Sequence, residues 1–271
     1  MTLDPAAALR EYVRDGLTLR YDVAGAGPDV LLAHGMTGTG DADWRRLVPA
    51  LADRYRCLVP DARGHGASDF REEGFSYEAL REDVRGLLAH EGAARPHLVG
   101  FSMGAEVLLD LELSYPGTAA SLVLIGASTG QPPDHGFGEL RTDAPPDWPG
   151  SLRQLHVERH GADHWKTLFH LIAGTWAERP ELPPETLATI GCPVLLVYGD
   201  EELAFKRRQA RELATVAPRA RVVEVVGGGH PIHVQQADTV LRLVVDFLDE
   251  VELETAQRRA PDPMTHAQIQ A

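Results

Sequence analysis

His97-Leu98-Val99-Gly100-Phe101-Ser102-Met103-Gly104-Ala105-Glu106-Val107-Leu108-Leu109-Asp110-Leu111 decides how this chain is read. An apolar run enters a Gly-x-Ser-x-Gly pentapeptide, Gly100 to Gly104, and a helix-like run leaves it. A serine on a sharp strand-to-helix turn has its hydroxyl pushed out of the sheet. The flanking residues must be small, because side chains there would collide with neighbouring backbone. The helix that follows points its free N–H groups at the same spot, where negative charge develops during attack on a carbonyl. A bare Gly-x-Ser-x-Gly is also an ordinary turn. Catalysis therefore requires a base, an acid and a second oxyanion donor from elsewhere in the chain.

Around this turn the chain alternates. Tyr12 to Val23 reads as a strand pair turning near Asp15-Gly16. Val30-Leu31-Leu32-Ala33 and Cys57-Leu58-Val59 are short, continuously apolar runs, the pattern of buried parallel strands. Trp44 to Ala52 reads as a helix, and Tyr77 to His90 carries Leu80, Val84, Leu87 and Leu88 at helical spacing. Ser121 to Ile125 is a further strand. Pro193 to Tyr198, Gln209 to Val216, Arg221 to Val226 and Thr239 to Leu248 then read as strand, helix, strand, helix. Such alternation predicts an α/β protein with a mostly parallel sheet covered on both faces.

Between about Ser128 and Gly191 the alternation stops. This stretch holds Pro132-Pro133, Pro145-Pro146, Pro149, Pro180 and Pro183-Pro184, with helix-like pieces at Leu152 to Arg159 and His164 to Trp176. It is too long for an ordinary loop. It reads as an insertion over the sheet's carboxyl edge, where open α/β sheets place their sites. The domain division is thus a core of 1–127 and 192–254, an insertion of 128–191 and a polar, frayed tail over 255–271.

Composition sets bounds. The 271 residues are 44% hydrophobic, enough for a sizeable core. A formal net charge of −14 argues against nucleic acid or an anionic membrane as partner. No membrane span or signal peptide is read, and two cysteines, Cys57 and Cys192, border apolar runs as buried free thiols do. This usage points to the cytoplasm.

The missing parts of a site follow. Gly227-Gly228-Gly229-His230 lies between the last strand and the last helix, so a histidine there is free to reach over the sheet edge. The strand Val194 to Tyr198 ends in Gly199-Asp200-Glu201-Glu202, and one of these carboxylates can face His230. The loop His34-Gly35-Met36-Thr37-Gly38 can turn the Met36 N–H toward an oxyanion, joined by the N–H of Met103. A phosphate loop is the competing reading of Gly35, Gly38 and Gly40. It lacks a Gly-Lys-Ser/Thr and the dinucleotide spacing. His156, His160 and His164 are spaced by four, but Gly161 interrupts them and no carboxylate or cysteine completes a metal set. They read as solvent-facing.

Taken in order, these motifs resemble the α/β-hydrolase superfamily over nearly the whole chain. They are His34-Gly35, Asp61-Ala62-Arg63-Gly64-His65-Gly66-Ala67-Ser68, the turn at Ser102, Gly199 to Glu202, and Gly229-His230. The resemblance implies an α/β-hydrolase fold: a mostly parallel eight-stranded sheet flanked by helices, with a helical lid inserted after strand 6. It makes Ser102 the nucleophile, His230 the base and Glu202 the acid, with Asp200 as the fallback. Most relatives carry aspartate at the acid position. His65 would be structural, and His34, Trp165 and Phe169 are pocket candidates. The implied activity is that of a cofactor-free, metal-free serine hydrolase on a small-molecule carboxylic ester, lactone or thioester. C–C bond hydrolases, lyases and tailoring enzymes of secondary metabolism share the scaffold, as do non-catalytic ligand receptors.

Overall fold

The computed structural model describes residues 9–131 and 151–259. Residues 132–150 of the expected insertion and 260–271 of the expected tail therefore lie outside the described residues. Eight strands form one sheet in the order β1-β2-β4-β3-β5-β6-β7-β8. They are β1 (Arg10–Arg14), β2 (Leu17–Ala24), β3 (Asp29–Ala33), β4 (Arg56–Pro60), β5 (His97–Phe101), β6 (Ser121–Ile125), β7 (Val194–Gly199) and β8 (Ala220–Val225). β2 pairs antiparallel with both β1 and β4, and every other pairing is parallel.

The apolar strands are continuous because both faces of the sheet are covered. Leu31, Leu98, Leu122, Leu124 and Leu196 face one buried layer. Val30, Leu32, Val99, Val123, Leu195 and Val197, the alternating neighbours, face the other. The first layer is closed by α3 (Tyr77–His90), α4 (Met103–Ser114), α7 (Pro184–Leu187) and α8 (Ala204–Val216). The second is closed by α1 (Gly40–Trp44), α2 (Val48–Leu51), α9 (Ile232–Gln235) and α10 (Ala237–Arg259).

Three boundaries differ from the sequence reading. The helix expected over Trp44 to Ala52 is two pieces, α1 and α2. Pro49 has no N–H for the carbonyl one turn back and its ring clashes there, so the helix restarts with the proline in its first turn. α8 begins at Ala204, five residues before the expected Gln209. α10 runs on to Arg259, into the residues expected to be a frayed tail. Glu250 and Glu254 pair with Arg221 and Arg219 of the β8 region, which docks this polar turn on the sheet edge.

Within the insertion, α5 (Ser151–His160) and α6 (His164–Ala177) match the two expected helical pieces. Leu168, Ile172 and Trp176 of α6 pack against Phe75, Tyr77, Met103 and Val107 of the core. One carboxylate fastens this contact. Glu106, one turn after Ser102 and 1% exposed, accepts hydrogen bonds from Tyr77 Oη (2.9 Å), Ser128 Oγ (2.6 Å), Trp176 Nε1 (3.3 Å) and Arg179 Nη1 (2.8 Å). Removing one partner of such a buried ion pair costs about 3–5 kcal/mol, because the other charge is left unmet.

The three histidines spaced by four, His156, His160 and His164, are not solvent-facing. His156 is fully buried with its ring 5.4 Å from that of His65. His164 stacks on His160 at 4.3 Å, and its Nε2 donates to the Gly64 carbonyl at 2.8 Å. They are drawn inward because α5 and the start of α6 lie on the Asp61 to Ser68 loop, whose carbonyls offer partners. Burial, then the charges of His164 and Arg159, push His160 down to about 4. An unfolded histidine binds a proton near 6.5, so acidification favours the unfolded chain between about pH 6.5 and about pH 4. Thermal melts are expected to show the midpoint falling across this window, and falling less in His160→Gln. Equal falls in both proteins would remove His160 as a cause.

Candidate active site

Ser102 stands between β5 and α4 with φ 50° and ψ −120°, a left-handed backbone for a residue with a Cβ. Such strain costs about 1–3 kcal/mol and persists only when the surroundings impose it. Here the imposition is steric. A Cβ on Gly100 would lie 2.6 Å from the Ala105 backbone, and one on Gly104 would lie 2.3 Å from the Ala33 carbonyl oxygen. Both flanking positions are confined to glycine because α4 crosses directly over β3. The Ser102 N–H is held by the Ile125 carbonyl at 2.8 Å. The hydroxyl is not spent on capping α4, which leaves it for other partners.

That partner is His230. Its Nε2 lies 2.9 Å from Ser102 Oγ, and its Nδ1 lies 2.6 Å from Glu202 Oε2. The carboxylate accepts, so Nδ1 carries the proton and Nε2 is free to accept from the serine hydroxyl. Glu202 is 4% exposed, and its other oxygen accepts the Leu203 N–H at 2.9 Å. Burial acts to raise the Glu202 carboxyl. The hydrogen bond and charge of His230, with the Lys206 charge and the Leu203 N–H, outweigh it and leave the group below its ordinary range. His230 is also lowered, by burial and then by the Lys206 charge, against the opposing pull of Glu202.

Asp200, the fallback acid, does something else. Its Oδ1 accepts the N–H groups of Gly227 (2.8 Å) and Gly228 (3.3 Å), and the Glu201 N–H bonds the Gly228 carbonyl at 3.0 Å. It therefore ties the loop carrying His230 to the loop carrying Glu202. Glu202, two residues further along, reaches the imidazole, while the Asp200 carboxylate is engaged by the loop backbone.

The two expected oxyanion donors lie beside the serine. Met103 opens α4, so its N–H has no partner within the helix. Neither Met36 N–H nor Met103 N–H has an acceptor among the described residues. The Gly35 carbonyl is held by His34 Nδ1 (2.7 Å) and the Gly38 N–H (3.1 Å). In a trans peptide this turns the Met36 N–H the opposite way. His65 fixes the next peptide, its Nε2 2.8 Å from the Met36 carbonyl.

A cavity of about 320 Å³ opens at Ser102 and His230. Its apolar wall includes Met36, Met103, Phe169, Ile172, Trp176 and Leu203. Of the three pocket candidates, only Phe169 lines it. His34 is buried behind the Met36 loop, accepting the Ala62 N–H on Nε2 at 2.9 Å, and borders a separate void of about 40 Å³. Trp165 lies one helical turn before Phe169, past the face formed by Phe169, Ile172, Ala173 and Trp176. Sequence reasoning missed Glu106 and Lys206, which also line the cavity. Glu106 left a signal, a charge set between Ala105 and the apolar run Val107-Leu108-Leu109. Lys206 left none, being the first of three consecutive basic residues.

The alpha/beta hydrolase family model matches residues 30–243, and the chain belongs to that family. Among curated relatives it is 39% identical over 254 residues to the pimeloyl-[acyl-carrier protein] methyl ester esterase of Aeromonas hydrophila subsp. hydrophila, covering 83% of this chain and 96% of that protein. It is 26% identical over 250 residues to the magnesium-chelatase 30 kDa subunit of Rhodobacter capsulatus, covering 82% and 87%. A solved hydrolase from Pseudomonas aeruginosa superposes with a TM-score of 0.73 at 26% identity, over 90% of this chain and 99% of that one.

Replacing Glu202 separates the two carboxylates. In Glu202→Gln the pull that raises His230 is gone while burial and Lys206 remain, so the imidazole is expected to titrate still lower in an NMR pH series. Asp200→Asn should leave that titration near its original position. The reverse pattern would make Asp200 the partner.

Proposed function

We propose that this protein is a cofactor-free serine hydrolase cleaving small carboxylic esters, with lactones and thioesters as chemical equivalents. The observation carrying this reading is one imidazole set 2.9 Å from a serine oxygen and 2.6 Å from a buried carboxylate, at the mouth of an apolar cavity. The 39% identity to a methyl ester esterase supports the choice of an ester.

In this mechanism Ser102 Oγ adds to the ester carbonyl as its proton passes to His230 Nε2. The carbonyl oxygen becomes an oxyanion between the Met36 and Met103 N–H groups, at the positive end of α4. Glu202 holds the imidazole in the required tautomer and stabilises the imidazolium. His230 then protonates the departing alkoxide, leaving an acyl ester on Ser102. Water gives a proton to the same nitrogen and adds to the acyl carbon. Collapse of this adduct returns the proton to Ser102 and releases the acid. Residues 128–191 act as the lid, with Phe169, Ile172 and Trp176 shaping the acyl side of the cavity. The buried free thiols of Cys57 and Cys192 are in keeping with work in a reducing cytoplasm.

Ser102→Ala is expected to lower turnover of a p-nitrophenyl ester by about 10⁴-fold or more. Retention of most activity by the purified variant would falsify the nucleophile assignment. The base works only when unprotonated, and His230 sits below its ordinary value of 6.5. The rate constant kcat/KM should therefore rise with pH through an apparent pKa below 6.5 and stay level through neutrality. Glu202, itself depressed, remains ionised over this range. An acid limb centred above neutrality contradicts the assigned base.

A further inference from the structure

Lys206 is a cation in an unfavourable place. It is 5% exposed and lies in the first turn of α8, the positive end of the helix, where anions are stabilised and cations are not. Its Nζ donates to the Gly126 carbonyl at 2.9 Å. Among the described residues no carboxylate lies within ion-pairing distance of it. An ammonium has three donors, so two remain without an acceptor among the described residues. The same side chain lines the cavity at Ser102 and His230.

Among the other charges around this cavity, Glu106 is met by Arg179 at 2.8 Å. Glu202 accepts a hydrogen bond from the uncharged His230 at 2.6 Å and meets the Lys206 charge only beyond ion-pairing distance. Burying an ammonium costs several kcal/mol unless an anion or a full set of acceptors compensates. Among the described residues Lys206 has one acceptor, beside an apolar wall.

We propose that Lys206 is an anion subsite of the substrate cavity, and that the preferred substrates are esters carrying a free carboxylate in addition to the scissile ester. The inference rests on the esterase reading and names its substrate class. A carboxylate entering the cavity supplies acceptors for the two spare donors and a charge for the ammonium, and it meets the positive end of α8 as well. One ammonium suits a monoanion. A phosphate dianion calls for more cationic or backbone donors than this corner offers. A neutral ester leaves the two other donors of the buried ammonium without an acceptor, so discrimination comes from the cost of those unmet donors.

The test pairs monomethyl with dimethyl esters of the straight-chain dicarboxylic acids from succinate to suberate, followed by methanol release. The wild type is expected to show a kcat/KM at least about tenfold higher for the best monoester than for its diester, as befits one charge-assisted contact. Lys206→Met should lower that ratio by about tenfold or more. If Lys206 only pins the Gly126 loop, both substrates slow together and the ratio holds, which overturns the subsite. A wild type preferring the diester at every length overturns it too, with the esterase reading intact. Turnover of neither ester overturns the esterase reading, and binding then decides the subsite. By calorimetry on Ser102→Ala, adipate should bind at least about tenfold tighter than adipamide. Equal affinities, or binding of neither, overturn the subsite. This last comparison needs no change at position 206, so it also decides the case if Lys206→Met does not fold.

Discussion

The crossing of α4 over β3 is the contact on which the rest depends. Gly104 lies against the Ala33 carbonyl so closely that a methyl group would sit 2.3 Å from the oxygen. Only at that separation does the chain turn within one residue, forcing Ser102 into a left-handed backbone and lifting its hydroxyl above the sheet. The same turn points the first N–H groups of α4 at the serine and sets the Met36 loop across from it. Strain at Ser102 is held in place by the large buried layers on both faces of the sheet.

α4 carries a second constraint into the insertion. Glu106 sits one turn along the same helix, and its carboxylate gathers Tyr77, Ser128, Trp176 and Arg179. The roof of the cavity is thereby referenced to the helix that starts at the proposed nucleophile. On the far side, Asp200 ties the loops of Glu202 and His230 together, and Lys206 holds Gly126 beneath them. The imidazole thus stands between an anion that raises its basicity and a cation that lowers it, and burial settles the balance downward.

Much of this was legible before folding. The strands announced themselves because a sheet buried on both faces needs unbroken apolar runs, and the runs at 30–33, 98–101, 122–125 and 194–198 are unbroken. The turn at Ser102 was legible because its sterics are local, a matter of which residues lack a Cβ. Errors fell where local pattern and tertiary setting disagree. Pro49 split a helix that apolar spacing alone had joined. His156, His160 and His164 carry a surface-like pattern, yet they fold onto the Asp61 to Ser68 loop, His156 against the His65 ring and His164 on the Gly64 carbonyl. His34 and Trp165 sit near the site in sequence order and miss the cavity in space.

The sequence by itself determined the sheet and the bent turn at Ser102, because each rests on short-range sterics or periodicity, and it marked His230 and the Met36 loop as the proposed base and oxyanion donor. The residues alone left the acid among adjacent carboxylates, and the family resemblance picked Glu202 with Asp200 as the fallback. Only the tertiary structure set Glu202 against the imidazole and Asp200 on the backbone N–H groups of Gly227 and Gly228, since that depends on how two loops distant in the chain meet. Only the tertiary structure found Glu106 and Lys206. A charge in a helix is an ordinary surface residue until packing removes its water, and packing is made by segments distant in the chain.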